Sequence, residues 1–68
     1  DVQIRVGLNL QALRRARGLT QEELAHRSSV HQTYLSNVEG GKRNPSIRVL
    51  DRIAKALGAD ICDLTAKR

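Results

Sequence analysis

Aromatic residues are nearly absent from this sequence. Its 68 residues include no Phe and no Trp, and Tyr34 is the single Tyr. The hydrophobic core must therefore be built from Leu, Ile, Val and Ala side chains. Proteins that bind single-stranded nucleic acids by stacking need several aromatic side chains as a platform for the bases. The composition argues against that class of binder.

Cysteine and long apolar runs are scarce as well. Cys62 has no partner for an internal disulfide, which fits a reducing compartment. A lone cysteine of this kind is expected to be a small buried or half-buried residue. No segment approaches the roughly 18 consecutive apolar residues of a membrane span, and none resembles a signal peptide. We therefore expect a cytoplasmic protein with no membrane partner.

Positive charge, in contrast, is abundant. The chain has 12 Lys and Arg against 7 Asp and Glu, a net charge of +5 and a pI near 10.4. This balance is typical of a nucleic-acid-binding module. The length predicts a single domain, residues 1–68, because a chain this short buries only about 60% of its unfolded surface and must fold around one compact core.

Helical periodicity recurs along the whole chain and predicts an all-α fold. The predicted helices span about 4–17, 21–28, 32–39, 46–57 and 61–65. Their main apolar stripes are Val6, Leu10 and Leu13 in the first helix and Ile47, Leu50, Ala54 and Leu57 in the fourth. Asp60 is placed to cap the fifth helix. Lys67 and Arg68 are expected to form a frayed end.

The second and third predicted helices carry the pattern of a helix-turn-helix. Thr20 and Glu23 have the spacing of a capping box, and the pair Ser28–Ser29 predicts the turn between the helices. The third helix buries a narrow stripe and exposes short or neutral hydrogen-bonding side chains, namely Gln32, Thr33, Ser36 and Asn37. Side chains of this type can read base edges, although an ordinary polar helix face would look similar.

Catalytic and metal-binding interpretations find little support. His26 and His31 lie on different helical segments without a nearby set of acids or cysteines, so a surface role is favoured over metal ligation. Glu22 and Glu23 are consecutive and point in different directions on a helix. We expect no catalytic residues, no metal, no cofactor and no small-molecule site, and therefore no enzyme.

Three runs of sequence together resemble a known family. LRRARGLTQEELA, VHQTYLSNVEGGKRNPS and LDRIAKALGADICDL are similar to the Cro/C1-repressor-type helix-turn-helix transcriptional regulators, also called the xenobiotic-response-element family. The resemblance covers about residues 10–64 and implies a compact five-helix lambda-repressor-like DNA-binding domain. Two positions depart from the family. Ser29 replaces a turn glycine, and His31 replaces the Ser or Thr that often caps the third helix.

The resemblance also implies roles for individual residues. It places Gln32, Thr33, Ser36 and Asn37 against base edges in the major groove. It implies phosphate contacts for Gln21, Tyr34, Lys42, Arg43 and Asn44. Tyr34 has the alternative of a partly buried core residue, and the two cations that of a solvated turn. It finally pairs Arg14 with Glu39, which leaves Arg15 and Arg17 for solvent or DNA.

The resulting hypothesis is that the protein is a transcriptional regulator, such as a repressor. It would bind double-stranded DNA sequence-specifically at a palindromic operator. A single module of this size contacts few base pairs, so we expect a homodimer. Val49, off the stripe of the fourth helix, and Ile61 are the candidate dimer contacts. The alternative hypothesis is a protein-interaction or antitoxin-type adaptor module on the same fold.

Overall fold

A computed structural model describes all residues from 1 to 68 and contains five helices and no strand. They are α1 (Val2–Ala16), α2 (Gln21–Ser28), α3 (Gln32–Glu39), α4 (Ile47–Ala56) and α5 (Ile61–Thr65). The all-α prediction is confirmed. The first helix starts at Val2 rather than near Ile4, because the Asp1 carboxylate accepts the backbone N–H groups of Gln3 and Ile4.

Helices α1 to α4 are each followed by a residue in the left-handed backbone region. Glycine occupies this position at Gly18, Gly41 and Gly58, with φ between 68° and 73°. Ser29, after α2, has φ 59° and is the one non-glycine residue of the chain with a positive φ. A left-handed residue stops a helix and lets the following N–H groups bond back to its last carbonyls.

A single aliphatic cluster joins the five helices. Helix α1 packs against α3 and α5, α2 packs against α3 and α4, and α4 packs against α5. The buried hydrophobic residues are Val6, Leu10, Leu19, Leu24, Ala25, Leu35, Val38, Leu50, Ile53, Ala54, Leu57 and Leu64. As the missing aromatics required, all of them are Leu, Ile, Val or Ala. None of the helices is long and apolar enough to span a membrane.

The apolar stripe predicted for the fourth helix is wrong at its first residue. Ile47 is 76% exposed, whereas Val49, which lies off the predicted stripe, is half-buried against the core. Spacing alone does not show whether a neighbouring element covers the end of a helix. Ile47 is the first residue of α4, and no other element covers it.

The chain end and the cysteine also differ from expectation. Asn9 is buried, and its side-chain amide donates to the carbonyl oxygens of Leu64 (2.9 Å) and Ala66 (2.8 Å). The guanidinium of Arg68 in turn donates to Asn9 Oδ1 at 3.0 Å, so the predicted fraying of Arg68 is wrong. Cys62 is exposed rather than buried, because Leu64 is the α5 residue that enters the core.

Candidate nucleic-acid interface

The start of α2 is fixed by the capping box that the sequence predicts. The Glu23 backbone N–H donates to Thr20 Oγ1 at 3.0 Å, and the Thr20 N–H donates to the Glu23 carboxylate at 2.9 Å. This hydrogen bond from the Thr20 backbone is the main cause that lowers the pKa of Glu23. Gln21 then occupies the first helical position, where the backbone N–H has no partner inside the helix and can meet an anion.

The turn after α2 lies where the serine pair predicts it. Ser28 is buried, and its hydroxyl donates to the carbonyl oxygen of Leu24 at 2.7 Å. Ser29 adopts the left-handed conformation with φ 59° and ψ 41°. Val30 follows, and its N–H bonds back to the Ala25 carbonyl at 3.0 Å. Three residues, 29–31, therefore separate the end of α2 from the start of α3.

Helix α3 has one buried and one polar side. Leu35 and Val38 enter the core. The four residues with base-reading roles implied by the resemblance lie within about 140° of each other on the helix circumference at 100° per residue. Three of them, Gln32, Thr33 and Ser36, are exposed, and Asn37 is half-buried. The structure thus brings the four side chains to one accessible side of the helix.

The N-terminal cap of α3 is weak, as expected from His at position 31 in place of the Ser or Thr that the family often has there. His31 has the extended backbone conformation of an N-cap, yet its side chain makes no capping hydrogen bond. The imidazole is exposed, and so is that of His26 on α2. Since its N-terminus lacks a side-chain cap, α3 depends more heavily on contacts elsewhere for its placement.

A buried ion pair provides such a contact at the other end of α3. Arg14 donates through Nε to Glu39 Oε2 at 2.6 Å and through Nη2 to Oε1 at 3.0 Å. Its Nη1 also donates to the carbonyl oxygen of Leu19 at 2.8 Å. The hydrogen bond with Glu39 is the main cause that raises the pKa of Arg14. A two-pronged bond of this type fixes orientation as well as distance.

Gln21 joins this cluster, which the sequence did not suggest. Its amide nitrogen donates to Glu39 Oε1 at 3.1 Å. Glu39 therefore links the end of α1, the start of α2 and the end of α3. Gln21 is half-buried, its side-chain amide has one N–H directed to Glu39, and its backbone N–H has no partner inside the helix.

The exit loop after α3 carries three exposed polar residues, Lys42, Arg43 and Asn44. The guanidinium carbon of Arg43 lies 5.4 Å from the centre of the Tyr34 ring. Tyr34 itself is half-buried and packs against the core. Tyr34 is thus a partly buried core residue, as one of its two interpretations predicts. Its ring also supports Arg43 through a cation–π contact.

The remaining predicted residues differ in how far they are exposed. Arg15 is exposed. Arg17 is exposed as well, and its Nε donates to the Leu57 carbonyl at 2.7 Å at the end of α4. Val49 and Ile61 are half-buried against the core, so each offers only part of its side chain to a partner.

Besides Asn9, two residues of structural importance, Gly7 and Arg52, were not predicted from the sequence. The backbone of α3 approaches α1 so closely at Gly7 that an added Cβ would lie 2.5 Å from the Glu39 carbonyl oxygen. Arg52 of α4 donates to carbonyl oxygens of the turn after α2. A glycine that breaks helix propensity within the first helix was a signal for the close approach. The Arg52 contact joins distant residues and leaves no local pattern.

Known proteins with a similar sequence or structure identify the family of this chain. Residues 10–64 match the helix-turn-helix family HTH_3. The uncharacterized HTH-type transcriptional regulator y4dJ of Sinorhizobium fredii is 47% identical over 64 residues, which cover 94% of this chain and 83% of that protein. The restriction-modification controller protein C.AhdI from Aeromonas hydrophila is similar in structure, with a TM-score of 0.89, 37% identity and coverage of 91% of this chain and 94% of that chain.

A structure of SinR, a master regulator for biofilm formation, in complex with DNA is also similar, with a TM-score of 0.83 and 30% identity. It covers 87% of this chain and 95% of that one. The family match extends over most of the sequence and includes the helix pair and the ion pair described above. The chain therefore belongs to the HTH_3 family of Cro/C1-type helix-turn-helix transcriptional regulators.

Proposed function

We propose that this protein is a sequence-specific transcriptional regulator that binds double-stranded DNA with α3 in the major groove of a palindromic operator. The observation that carries the proposal is the accessible polar side of α3, fixed at its C-terminal end by the Arg14–Glu39 pair. A major groove about 12 Å wide admits a helix with its side chains. The similarity to SinR, which was solved with DNA, supports the same interpretation.

Base reading is assigned to the polar side of α3. Gln32 and Asn37 carry amides, which can donate and accept at once and can pair with adenine through two hydrogen bonds. Thr33 and Ser36 add hydroxyl groups that serve either role, and Thr33 also has a methyl group for thymine. No acidic side chain interrupts this side of the helix.

Phosphate contacts are assigned to the two ends of the helix pair. At the start of α2, Gln21 offers its backbone N–H, which has no partner inside the helix, and the amide N–H that Glu39 does not bind. Beyond α3, Lys42, Arg43 and Asn44 offer charged and neutral donors. Such contacts set the register of the protein on the duplex and supply affinity that is independent of sequence. Tyr34 contributes mainly by supporting Arg43.

A homodimer completes the proposal. Two copies related by a two-fold axis would place their α3 helices about 34 Å apart, one turn of DNA, and double the number of base contacts. The surface proposed for this contact contains the accessible parts of Val49 and Ile61 together with Ile47, the most exposed large hydrophobic residue of the chain. We expect a modest interface, below about 1,200 Å².

This function requires neither catalysis nor a cofactor, and it requires access to chromosomal DNA, so we propose a cytoplasmic location. Regulation would follow from occupancy, because a protein bound over or beside a promoter blocks or recruits polymerase according to the position of the operator. A basic surface that met only an acidic protein partner would instead correspond to the adaptor hypothesis.

Substitutions in α3 test the proposal directly. The operator can be obtained by selecting bound duplexes from a random-sequence library, and a scrambled duplex of equal composition serves as the control. Gln32→Ala and Thr33→Ala should each weaken binding to the selected duplex by about 1–3 kcal/mol and leave the scrambled duplex nearly unaffected.

Arg43→Ala provides the contrast. It should weaken binding to both duplexes equally and reduce the slope of log K against log salt by about one unit. If Gln32→Ala lowered the affinity for both duplexes by the same factor, α3 would not read bases and the proposal would be rejected. An unchanged salt slope for Arg43→Ala would remove that residue from the phosphate contacts.

A further inference from the structure

The turn that precedes α3 has a residue with an unfavourable backbone conformation. The left-handed conformation that ends α1, α3 and α4 falls on glycine, whereas after α2 it falls on Ser29. A side chain with a Cβ atom is disfavoured in this region relative to glycine. The junction between α2 and α3 therefore has the weakest intrinsic preference for its observed conformation among the four helix ends.

Hydrogen bonds within the turn account for only part of its polar groups. The Ser29 N–H donates to the His26 carbonyl at 3.3 Å, and the Val30 N–H donates to the Ala25 carbonyl at 3.0 Å. The carbonyl oxygens of Ser28 and Ser29 receive no backbone N–H. Helix ends generally leave such carbonyls without an internal partner, and they need one from elsewhere.

Arg52 supplies that partner. From α4 it donates through Nε to the Ser28 carbonyl at 2.8 Å and through Nη2 to the Ser29 carbonyl at 3.4 Å. The two acceptors are consecutive, so one planar guanidinium spans the left-handed residue. Because α4 packs against α2, the arginine is anchored to an element that does not belong to the helix-turn-helix itself.

We propose that Arg52 is a positioning residue for DNA reading: it holds the left-handed turn at Ser29 and thereby sets the direction in which α3 leaves α2. The inference rests on the proposed function. Glu39 anchors the C-terminal end of α3, but Gln32 and Thr33 lie at the N-terminal end, where His31 provides no side-chain cap. The turn is the local constraint on these two residues, and Arg52 reinforces it.

A set of four variants tests this role. Arg52→Gln removes the guanidinium, and Arg48→Gln makes the same charge change at an exposed site on the same helix. Ser29→Gly removes the conformational penalty of the turn, alone and combined with Arg52→Gln. Affinities are measured, well below the melting temperature, for the duplex that the wild-type protein selects from a random library and for its scrambled counterpart.

Arg52→Gln should bind the selected duplex about tenfold more weakly, the loss expected for one charged hydrogen bond, with the scrambled duplex changed less than about twofold. Adding Ser29→Gly should restore most of the affinity, because glycine adopts the turn without help. Arg48→Gln should affect both duplexes alike. In hydrogen exchange, the Val30 amide should lose protection in Arg52→Gln and regain it in the double variant.

Three results would overturn the inference. Suppose that Arg52→Gln weakens binding to both duplexes equally and Ser29→Gly does not restore it. Arg52 would then contribute to DNA binding only through its positive charge. A lower melting temperature with unchanged affinity for the selected duplex would make its role one of stability alone. Unchanged Val30 exchange in Arg52→Gln would show that the turn does not depend on it. Failure of the proposed function is distinguishable, since the wild-type protein would then select no duplex while the exchange result would still report on the turn.

Discussion

At the scale of single residues, Glu39 is the side chain that joins three helices. It is buried and accepts hydrogen bonds from Arg14 and Gln21, so one carboxylate connects α1, α2 and α3. Removing one partner of a buried pair leaves the other charge without compensation, which is more costly than losing both. The pair therefore joins the end of α3 to the end of α1.

Substitution of either partner should reveal this dependence. We expect Glu39→Gln and Arg14→Met each to lower the free energy of unfolding by about 3 kcal/mol, because each leaves a buried polar group unpaired. The double variant should recover part of the loss, which urea unfolding of all four proteins would measure as a coupling energy. Strict additivity of the two single losses would show that the pair contributes no specific interaction.

Gly7 provides a second residue-scale prediction. A Cβ there would lie 2.5 Å from the Glu39 carbonyl oxygen and 2.6 Å from that of Val38, and both acceptors are backbone atoms that cannot turn aside. Gly7→Ala should destabilise the fold by about 1–3 kcal/mol, the range for overpacked sites.

Gly40→Ala is the matched control for this test. Its added Cβ would meet its nearest atom at 3.5 Å, and its φ of −80° suits any residue. Its unfolding free energy should change little. If the two variants were equally stable by urea unfolding, the close contact of α1 and α3 at Gly7 would be contradicted.

Prediction from the sequence succeeded at residues whose roles are local and failed at residues whose roles depend on packing. The Thr20–Glu23 box was recognisable because both partners lie within one helical turn. The position of Ser29 was recognisable because a family glycine is missing there. Asn9 and Arg52, in contrast, bond to residues far along the chain, and no spacing rule connects them.

At the scale of helices, carboxylates accept backbone N–H groups at the starts of α1, α2 and α5. Hydrogen bonds to the backbone lower the pKa of Glu23 at the start of α2 and of Asp60 at the start of α5. A carboxyl group with a lower pKa in the folded than in the unfolded chain adds stability above its unfolded pKa, which is about 4 for both groups. That stability is lost as the pH falls through the folded pKa.

The stability of the domain should therefore decrease as the pH is lowered from about 5 toward 2. Glu23→Gln should make this decrease smaller, because the amide does not titrate. Glu22→Gln is the control, since Glu22 neighbours Glu23 in the first turn but forms no part of the capping box. Urea unfolding at several pH values would test this. An equally steep decrease in the Glu23→Gln and wild-type proteins would contradict the assigned role of the cap.

Helix α4 shows how far the spacing of apolar residues alone predicts which residues are buried. Its stripe correctly identifies Leu50, Ala54 and Leu57 as core residues but wrongly includes Ile47. Apolar spacing describes which side of a helix faces inward, yet the length over which that side is covered depends on the neighbouring elements. Ile47 is therefore accessible to the dimer partner proposed above.

At the scale of the whole molecule, this exposed residue gives a test of assembly. Ile47 is 76% exposed, so Ile47→Asp should leave folding intact while burying a charge in the proposed dimer contact. We expect it to weaken self-association in sedimentation experiments and to lower the affinity for a palindromic duplex. Ile61 is less suitable for the substitution because it also packs against the core.

Leu8→Asp is the appropriate control for the assembly test. Leu8 is 43% exposed on α1, outside the proposed contact, and its substitution introduces the same charge. It should leave both self-association and duplex affinity close to those of the wild-type protein. If Ile47→Asp behaved like Leu8→Asp in sedimentation and DNA binding, copies of the protein would have to meet through another surface.

Selection from a random duplex library followed by titration shows most directly whether this basic five-helix domain reads a particular DNA sequence. We predict recovery of one sequence with inverted half-sites about one helical turn apart, bound at least about a thousandfold more tightly than its scrambled counterpart, with affinity falling steeply as salt is raised. Equal affinity for the selected and scrambled duplexes would contradict sequence-specific reading and favour an adaptor that meets an acidic protein partner.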